Sequence, residues 1–238
     1  MIETTDYYIY EDSFIFKPDF NGFLNNYINI ISNYKKIFFS NYNESVLCVE
    51  TNNKYYDIYY KKYKFSSFNQ PLGDSLKNQI QLQQLIFGRN FNQLLGDSLN
   101  YLRNLQQLTF GWEFNQPLGN SLKNQIQLQQ LTFGRKFNQP LDDLLNNLKK
   151  LQELTLDNEF NMQIDIPTNI KILKLNCNNI YVIDNLPNSI EELYLLDKFN
   201  LELNNLPNSI KIISLHCGYN KKLNNINPKC LIVYNSIF

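Results

Sequence analysis

The sequence predicts an α/β solenoid. Short coils would stack so that their strands form a parallel sheet on a concave face, with a small α+β cap at the N-terminus. Three observations predict it. Phe68, Phe91, Phe114, Phe137 and Phe160 stand 23 residues apart, each followed by an asparagine (Asn69, Asn92, Asn115, Asn138, Asn161). Segments 68–90 and 114–136 differ only at Asp74/Asn120, Ile86/Thr132 and Asn90/Lys136, as a recent duplication of a two-repeat block would leave them. The motif apolar-x-x-apolar-x-apolar then continues past the point where the phenylalanine pattern decays.

That motif falls at Leu82/Leu85/Phe87, Leu105/Leu108/Phe110, Leu128/Leu131/Phe133, Leu151/Leu154/Leu156, Ile170/Leu173/Leu175, Ile190/Leu193/Leu195 and Ile210/Ile213/Leu215. A weaker last copy is read at Cys230/Val233. A single unit of this size cannot bury its own apolar side chains, so neighbours must stack and share one core. Alternation within a short strand sends Leu85 and Phe87 inward, and Gln84 and Ile86 outward. Between strands, Leu99, Leu102 and Leu105 have helix-like spacing, with Asp97 or Ser98 as a cap. Pro187 and Pro207 limit the later connections to an extended or single-turn form.

The copy at 170–180, IKILKLNCNNI, fits L-x-x-L-x-L-x-x-N-x-L, with Asn178 at the asparagine position. There, and at the Asn after each Phe, a side-chain amide is expected to satisfy backbone groups at turns that no strand ladder reaches. The FNQPL units joined to LPNSI units (186–190 and 206–210) resemble the FNIP repeat, a relative of the leucine-rich repeat found in social amoebae and in giant viruses of amoebae. The resemblance covers about 65–238, departing at Met162 and Gln163. It implies a leucine-rich-repeat-like solenoid of about seven to eight coils that works by protein–protein interaction, with no catalytic residues to carry over.

Residues 1–64 show no copy of the motif and are read as an N-terminal capping segment. Phe20, Phe23, Leu24, Tyr27, Ile28, Ile31 and Tyr34 form a helical face with Asp19 as its cap. Residues 45–50 and 55–60 read as a hairpin. Some proteins with this repeat carry an F-box and act as substrate adaptors of ubiquitin ligases. The alternative function is therefore an adaptor with a diverged F-box, which Lys17-Pro18-Asp19 matches only in part.

Charge excludes the electrostatic functions. The chain has 22 basic and 22 acidic residues, so neither a nucleic-acid nor a membrane surface is expected. No signal sequence and no apolar run of membrane length is present, and a monomer in a reducing, cytoplasmic compartment is expected (the host cytoplasm for a viral protein). Cys48, Cys177, Cys217 and Cys230 show no framework spacing, and Cys177 and Cys217 are read as core or near-core thiols two coils apart. One histidine cannot easily complete a zinc site, so no metal or cofactor is expected. The GDSL blocks at 73–76 and 96–99 spell a hydrolase motif, but His216 is the sole histidine and has no orienting Asp before it, so they read as repeat turns.

What remains is a binding surface on the outward strand positions. The first three pairs, Gln84/Ile86, Gln107/Thr109 and Gln130/Thr132, are nearly uniform and uncharged. The later pairs vary: Glu153/Thr155, Ile172/Lys174, Glu192/Tyr194, Ile212/Ser214 and Ile232/Tyr234. These later residues are the candidate partner-binding set, since exposed aliphatic and tyrosine side chains are typical of interfaces. Trp112, flanked one coil away by Arg89 and Arg135, reads equally as an anchor or as a ring covered by those arginines.

Overall fold

The computed structural model describes residues 2–40, 65–141, 144–204 and 206–235. Strands β1 (Ile2–Glu3), β2 (Tyr7–Tyr10) and β3 (Ser13–Phe16) pair antiparallel. From β3 the sheet continues parallel through β4 (Lys36–Phe39), β5 (Gln84–Ile86), β6 (Gln107–Thr109), β7 (Gln130–Thr132) and β8 (Glu153–Leu156). It runs on through β9 (Ile172–Leu175), β10 (Glu192–Leu195), β12 (Ile212–His216) and β14 (Leu231–Asn235). Two short strands, β11 (Leu203–Asn204) and β13 (Leu223–Asn224), pair separately. This is the leucine-rich-repeat-like solenoid that the motif requires.

Register follows from the apolar middle position. Leu85, Leu108, Leu131, Leu154, Leu173, Leu193 and Ile213 lie opposite one another and are fully buried. Behind them run two columns of phenylalanine. Phe68, Phe91, Phe114, Phe137 and Phe160 stack at 5.8, 6.0, 6.0 and 6.2 Å between ring centres. Phe39, Phe87, Phe110 and Phe133 stack at 5.6, 5.8 and 5.6 Å. The columns touch each other at 3.9 to 4.0 Å.

Because the rings within a column are nearly parallel, each spacing is the local displacement from coil to coil. Strands repeat about every 4.8 Å, so the coils fan apart as they run from the strands through the Phe39–Phe133 column to the Phe68–Phe160 column. That wedge puts the sheet on the concave side.

The backbone beyond the Phe68–Phe160 column is tied by asparagine. Asn69, Asn92, Asn115 and Asn138 each accept, through Oδ1, the backbone N–H of the matching Asn one coil on, at 2.9, 2.9, 2.9 and 3.0 Å. Gln93, Gln116 and Gln139 donate to the same oxygens at 3.0 to 3.1 Å. At the turn after each strand, Gly88, Gly111 and Gly134 stack so closely that a Cβ on Gly111 would run into the Gly88 carbonyl.

The N-terminal segment corrects the sequence reading. Phe20 stacks on Phe68 at 5.8 Å, and Asn21 Oδ1 accepts the Asn69 N–H at 2.8 Å, one more rung of the ladder. β4 pairs parallel with β5, so residues 20–39 have the form of a coil rather than of non-repeating sequence. The helical face over 20–34 is reduced to a 3-10 turn, Leu24–Tyr27, and a helical turn, Ile28–Ile31. Asp19 caps neither, since Phe20, Leu24 and Ile31 serve as core positions of a coil. Strands β1 to β3 were not anticipated. The hairpin read at 45–60 and Cys48 lie outside the described residues.

Segment 97–105 is also not a helix. It closes successive i to i+3 hydrogen bonds, including Leu102 N–H to the Leu99 carbonyl at 3.0 Å and Leu105 N–H to the Leu102 carbonyl at 3.0 Å. Asp97 accepts from the Asn100 side chain instead of capping backbone. Only two residues separate Leu99 from Leu102 and Leu102 from Leu105, and this string of turns presents all three inward. At Ile190 and Ile210 the connection is a single turn onto the Pro187 and Pro207 carbonyls.

Two substitutions measure these restraints. Phe114→Ala should cost about 3–5 kcal/mol by loss of a buried ring. Asn115→Ala should cost about 1 kcal/mol, because it leaves the half-buried Asn138 N–H without its acceptor. Urea unfolding followed by circular dichroism reads both, and exposed Asn78→Ala, expected within about 0.5 kcal/mol of wild type, is the control.

Candidate binding surface

The open face of the sheet is chemically uneven along its length. At its N-terminal end Tyr8, Ile15 and Phe38 lie opposite one another and are buried, with Ile86 packed on them. Thr109, Thr132 and Thr155 continue this row, beside Gln84, Gln107 and Gln130. From β8 onward the chemistry changes at every coil.

Glu153 forms an ion pair with Lys174 at 2.6 Å and accepts from Gln130 at 3.3 Å. Lys174 Nζ stands 5.5 Å from the centre of the Tyr194 ring, and the Tyr194 hydroxyl donates to Glu192 at 2.8 Å. That bond to Glu192, with partial burial, pushes the Tyr194 phenol above its ordinary range. Thus Glu153, Lys174, Glu192 and Tyr194 form one network, with half-buried Thr155, Ile172 and Ile212 beside it. A connected network holds side chains in fixed positions, which lowers the entropy lost when a partner binds.

The last coil shifts by one residue from the sequence reading. Ile212, Ile213, Ser214 and Leu215 lie opposite Leu231, Ile232, Val233 and Tyr234. Ile232 and Tyr234 therefore share the inward phase of Ile213 and Leu215, and the open face carries Leu231, Val233 and Asn235. Asn235 Nδ2 donates to Ser214 Oγ at 2.5 Å, which fixes this orientation. The final step is 19 residues, not 20. Cys230 standing where an apolar residue belongs concealed the shift, because the true phase puts charged Lys229 at that position.

Trp112 lies between two cations. Arg89 Cζ is 4.2 Å and Arg135 Cζ 4.6 Å from its ring centre, and Arg89 also covers Phe65 at 3.6 Å. The covering reading is the one the geometry supports.

The chemistry-bearing motifs resolve as structure. Gly73, Gly96 and Gly119 of the GDSL-type blocks adopt φ of 48°, 50° and 48°, the left-handed turn conformation that favours glycine. Ser75 Oγ donates to Asn25 Oδ1 at 2.8 Å. The Gly218 N–H donates to His216 Nδ1 at 3.1 Å, so the ring proton sits on Nε2 and faces the Phe199 carbonyl, also at 3.1 Å. With the strands repeating about every 4.8 Å, His216 and the GDSL serines are several coils apart. Among the described residues no cluster of three potential metal ligands occurs. Cys177 is buried, whereas Cys217 is exposed, so only the first is a core thiol.

Where the glycine column ends, Asp157 takes its place. Its carboxylate accepts from the Asn158 N–H at 2.6 Å and from Asn176 Nδ2 at 2.7 Å, and Asn176 Oδ1 in turn accepts the Lys198 N–H at 2.8 Å. Asn178 accepts the Asn200 N–H at 2.6 Å, as its motif position requires. Burial raises the Asp157 carboxyl above its ordinary 3.8 despite these donors.

Two tests follow. A carboxyl whose folded pKa is raised contributes stability below its unfolded pKa and loses it as pH rises through the folded value. Asp157→Asn should therefore unfold at higher temperature than wild type at pH 7, with the advantage vanishing below about pH 4, where both side chains are neutral. Burial likewise pushes the Cys177 thiol up to about 12. In native protein at pH 8 an alkylating reagent should label Cys217 and spare Cys177 until denaturant is added, as peptide mass spectrometry would read.

Residues 160–198 match the FNIP Repeat family. Among solved structures, CroV588 of a giant virus, described as a novel circular leucine-rich-repeat protein, aligns over 97% of this chain and 44% of its own, with TM-score 0.47 and 22% identity. The chain thus spans less than half the length of that protein. An internalin (InlF) from Listeria monocytogenes aligns over 93% of this chain and 86% of its own, with TM-score 0.37 and 12% identity. No curated protein matches the chain.

Proposed function

We propose that this FNIP- and leucine-rich-repeat-like protein is a non-catalytic scaffold that holds a protein partner against the concave open face of its C-terminal coils. Repeat solenoids of this kind are typically non-catalytic and bind on extended concave surfaces. The observation that carries the reading is the contrast along one face. The middle coils present repeated Gln and Thr beyond the buried Tyr8, Ile15 and Phe38, while the last present Ile172, Ile212, Leu231, Val233 and Tyr194 beside and beyond the Glu153–Lys174 pair. Aliphatic and tyrosine side chains framed by a few fixed charges match the composition of interface centres. Balanced charge favours a protein over a nucleic acid or an anionic membrane. No helix among the described residues is long and apolar enough to cross a membrane.

Affinity capture with the full chain, followed by crosslinking mass spectrometry, tests the proposal. A captured protein should crosslink to Lys174, and Ile172→Lys with Ile212→Lys should reduce its recovery at least tenfold without changing the circular dichroism spectrum. Recovery unaffected by that double variant would place the contact elsewhere and sink the reading.

A further inference from the structure

The sheet ends differently at its two edges. β1 has two residues, turns back as an antiparallel strand, and carries Glu3 in an ion pair with Lys17 at 2.8 Å. β14 has five residues, pairs with β12, and has no further strand neighbour among the described residues. Exposed edges are normally blunted by charge, proline or a short strand. Leu231–Asn235 has none of these.

Its backbone has a definite polarity. The Leu231 N–H donates to the Lys211 carbonyl, and the Asn235 carbonyl accepts from the Cys217 N–H, both at 2.8 Å. Alternation along the strand then turns the N–H and C=O of Ile232 and Tyr234 away from β12. The side chains of these same two residues lie in the inward register, over the end of the core, and Tyr234 is 56% exposed there.

We propose that this edge receives the β14 strand of a second copy, antiparallel, about a twofold axis at Val233. A twofold axis normal to the sheet reverses the strand and keeps both cores on the same side. Ile232 then faces Tyr234 of the second copy, and Tyr234 faces its Ile232. Each is a pair of outward-directed residues that can exchange two N–H to carbonyl bonds, four in all. Val233 meets itself as the close, non-hydrogen-bonded pair between them. A two-residue slip either way leaves one outward residue of each described strand without its match, so this register alone uses all of them. The two Ile–Tyr contacts lie on the core side and cover both open ends. The arrangement is isologous and closes at two copies. It departs from the monomer expected from sequence, and it does not rest on the open-face reading above.

Sedimentation velocity of the full chain from about 1 to 100 μM, the range in which modest strand-pairing interfaces assemble, is the test. The wild type should shift with concentration toward twice 28.2 kDa. Tyr234→Lys puts like charges beside the axis, and Tyr234→Pro removes an outward N–H while sparing the bonds to β12. Both should remain monomeric with melting temperatures near that of the wild type. Amide exchange at Ile232 and Tyr234 should slow with concentration in the wild type alone. A wild type that stays monomeric throughout, or a dimer that survives both substitutions, overturns the proposal.

Discussion

One bond sets the geometry of this molecule: a side-chain amide oxygen accepting the backbone N–H of the same residue one coil later. Strand pairing orders only the concave side of each coil, three to five residues wide. On the far side of the core the first coils have no strand ladder, and a shielded N–H without a partner is costly. The asparagine rungs at 2.8 to 3.0 Å supply the missing acceptors and fix the displacement between coils there. The phenylalanine beside each rung fills the space that this displacement opens, and the glycine column lets the backbone close up at the turn. Asparagine, phenylalanine and glycine recur together because each makes room for the others.

The regularity stops near Phe160, and with it the uniformity of the open face. Asn138 makes the last rung of the even series, to Asn161. Beyond it Asn179 Nδ2 instead donates to the Met162 carbonyl, and Asn178 takes up the acceptor role toward Asn200. Asp157 and Asn176 replace glycine with a polar chain that reaches Lys198. Shorter coils, a rebuilt polar network and varied outward side chains thus coincide. The near-identical coils keep a constant geometry, whereas the diverged ones vary in their outward chemistry.

Much of this was legible in the residues. Repetition of Phe-Asn and of the leucine motif specifies the coil, its strand and its inward side chains, since stacking allows few other solutions. The N-terminal coil was hidden because Phe20-Asn21 stands 48 residues before Phe68-Asn69 instead of 23. A fixed-period search passes over it, although Phe20 to Phe39 and Phe68 to Phe87 have the same internal spacing. The helix expected over 97–105 failed because leucine periodicity reports burial and cannot distinguish a helix from a string of turns of the same pitch. At the candidate surface, eight of the ten outward positions have the anticipated strand phase, although one of them, Ser214, is buried and hydrogen-bonded to Asn235. The other two, Ile232 and Tyr234, moved with a one-residue shortening that reverses every side chain after it.

The rung from Asn21 to Asn69 has an evolutionary corollary. Its two ends are separated by about twice the usual chain length, yet the bond is as short as in the regular coils. Doubling the length of a closed loop costs only about 0.6 kcal/mol in chain entropy, less than burying the Phe20 ring beside the rung contributes. Such a stack is therefore indifferent to how much sequence intervenes between one turn and the next. New material can enter at the exit of any strand without disturbing the coils on either side. The lineage of a protein built this way would record its history as insertions at that one address, while the spacing within each coil stays fixed.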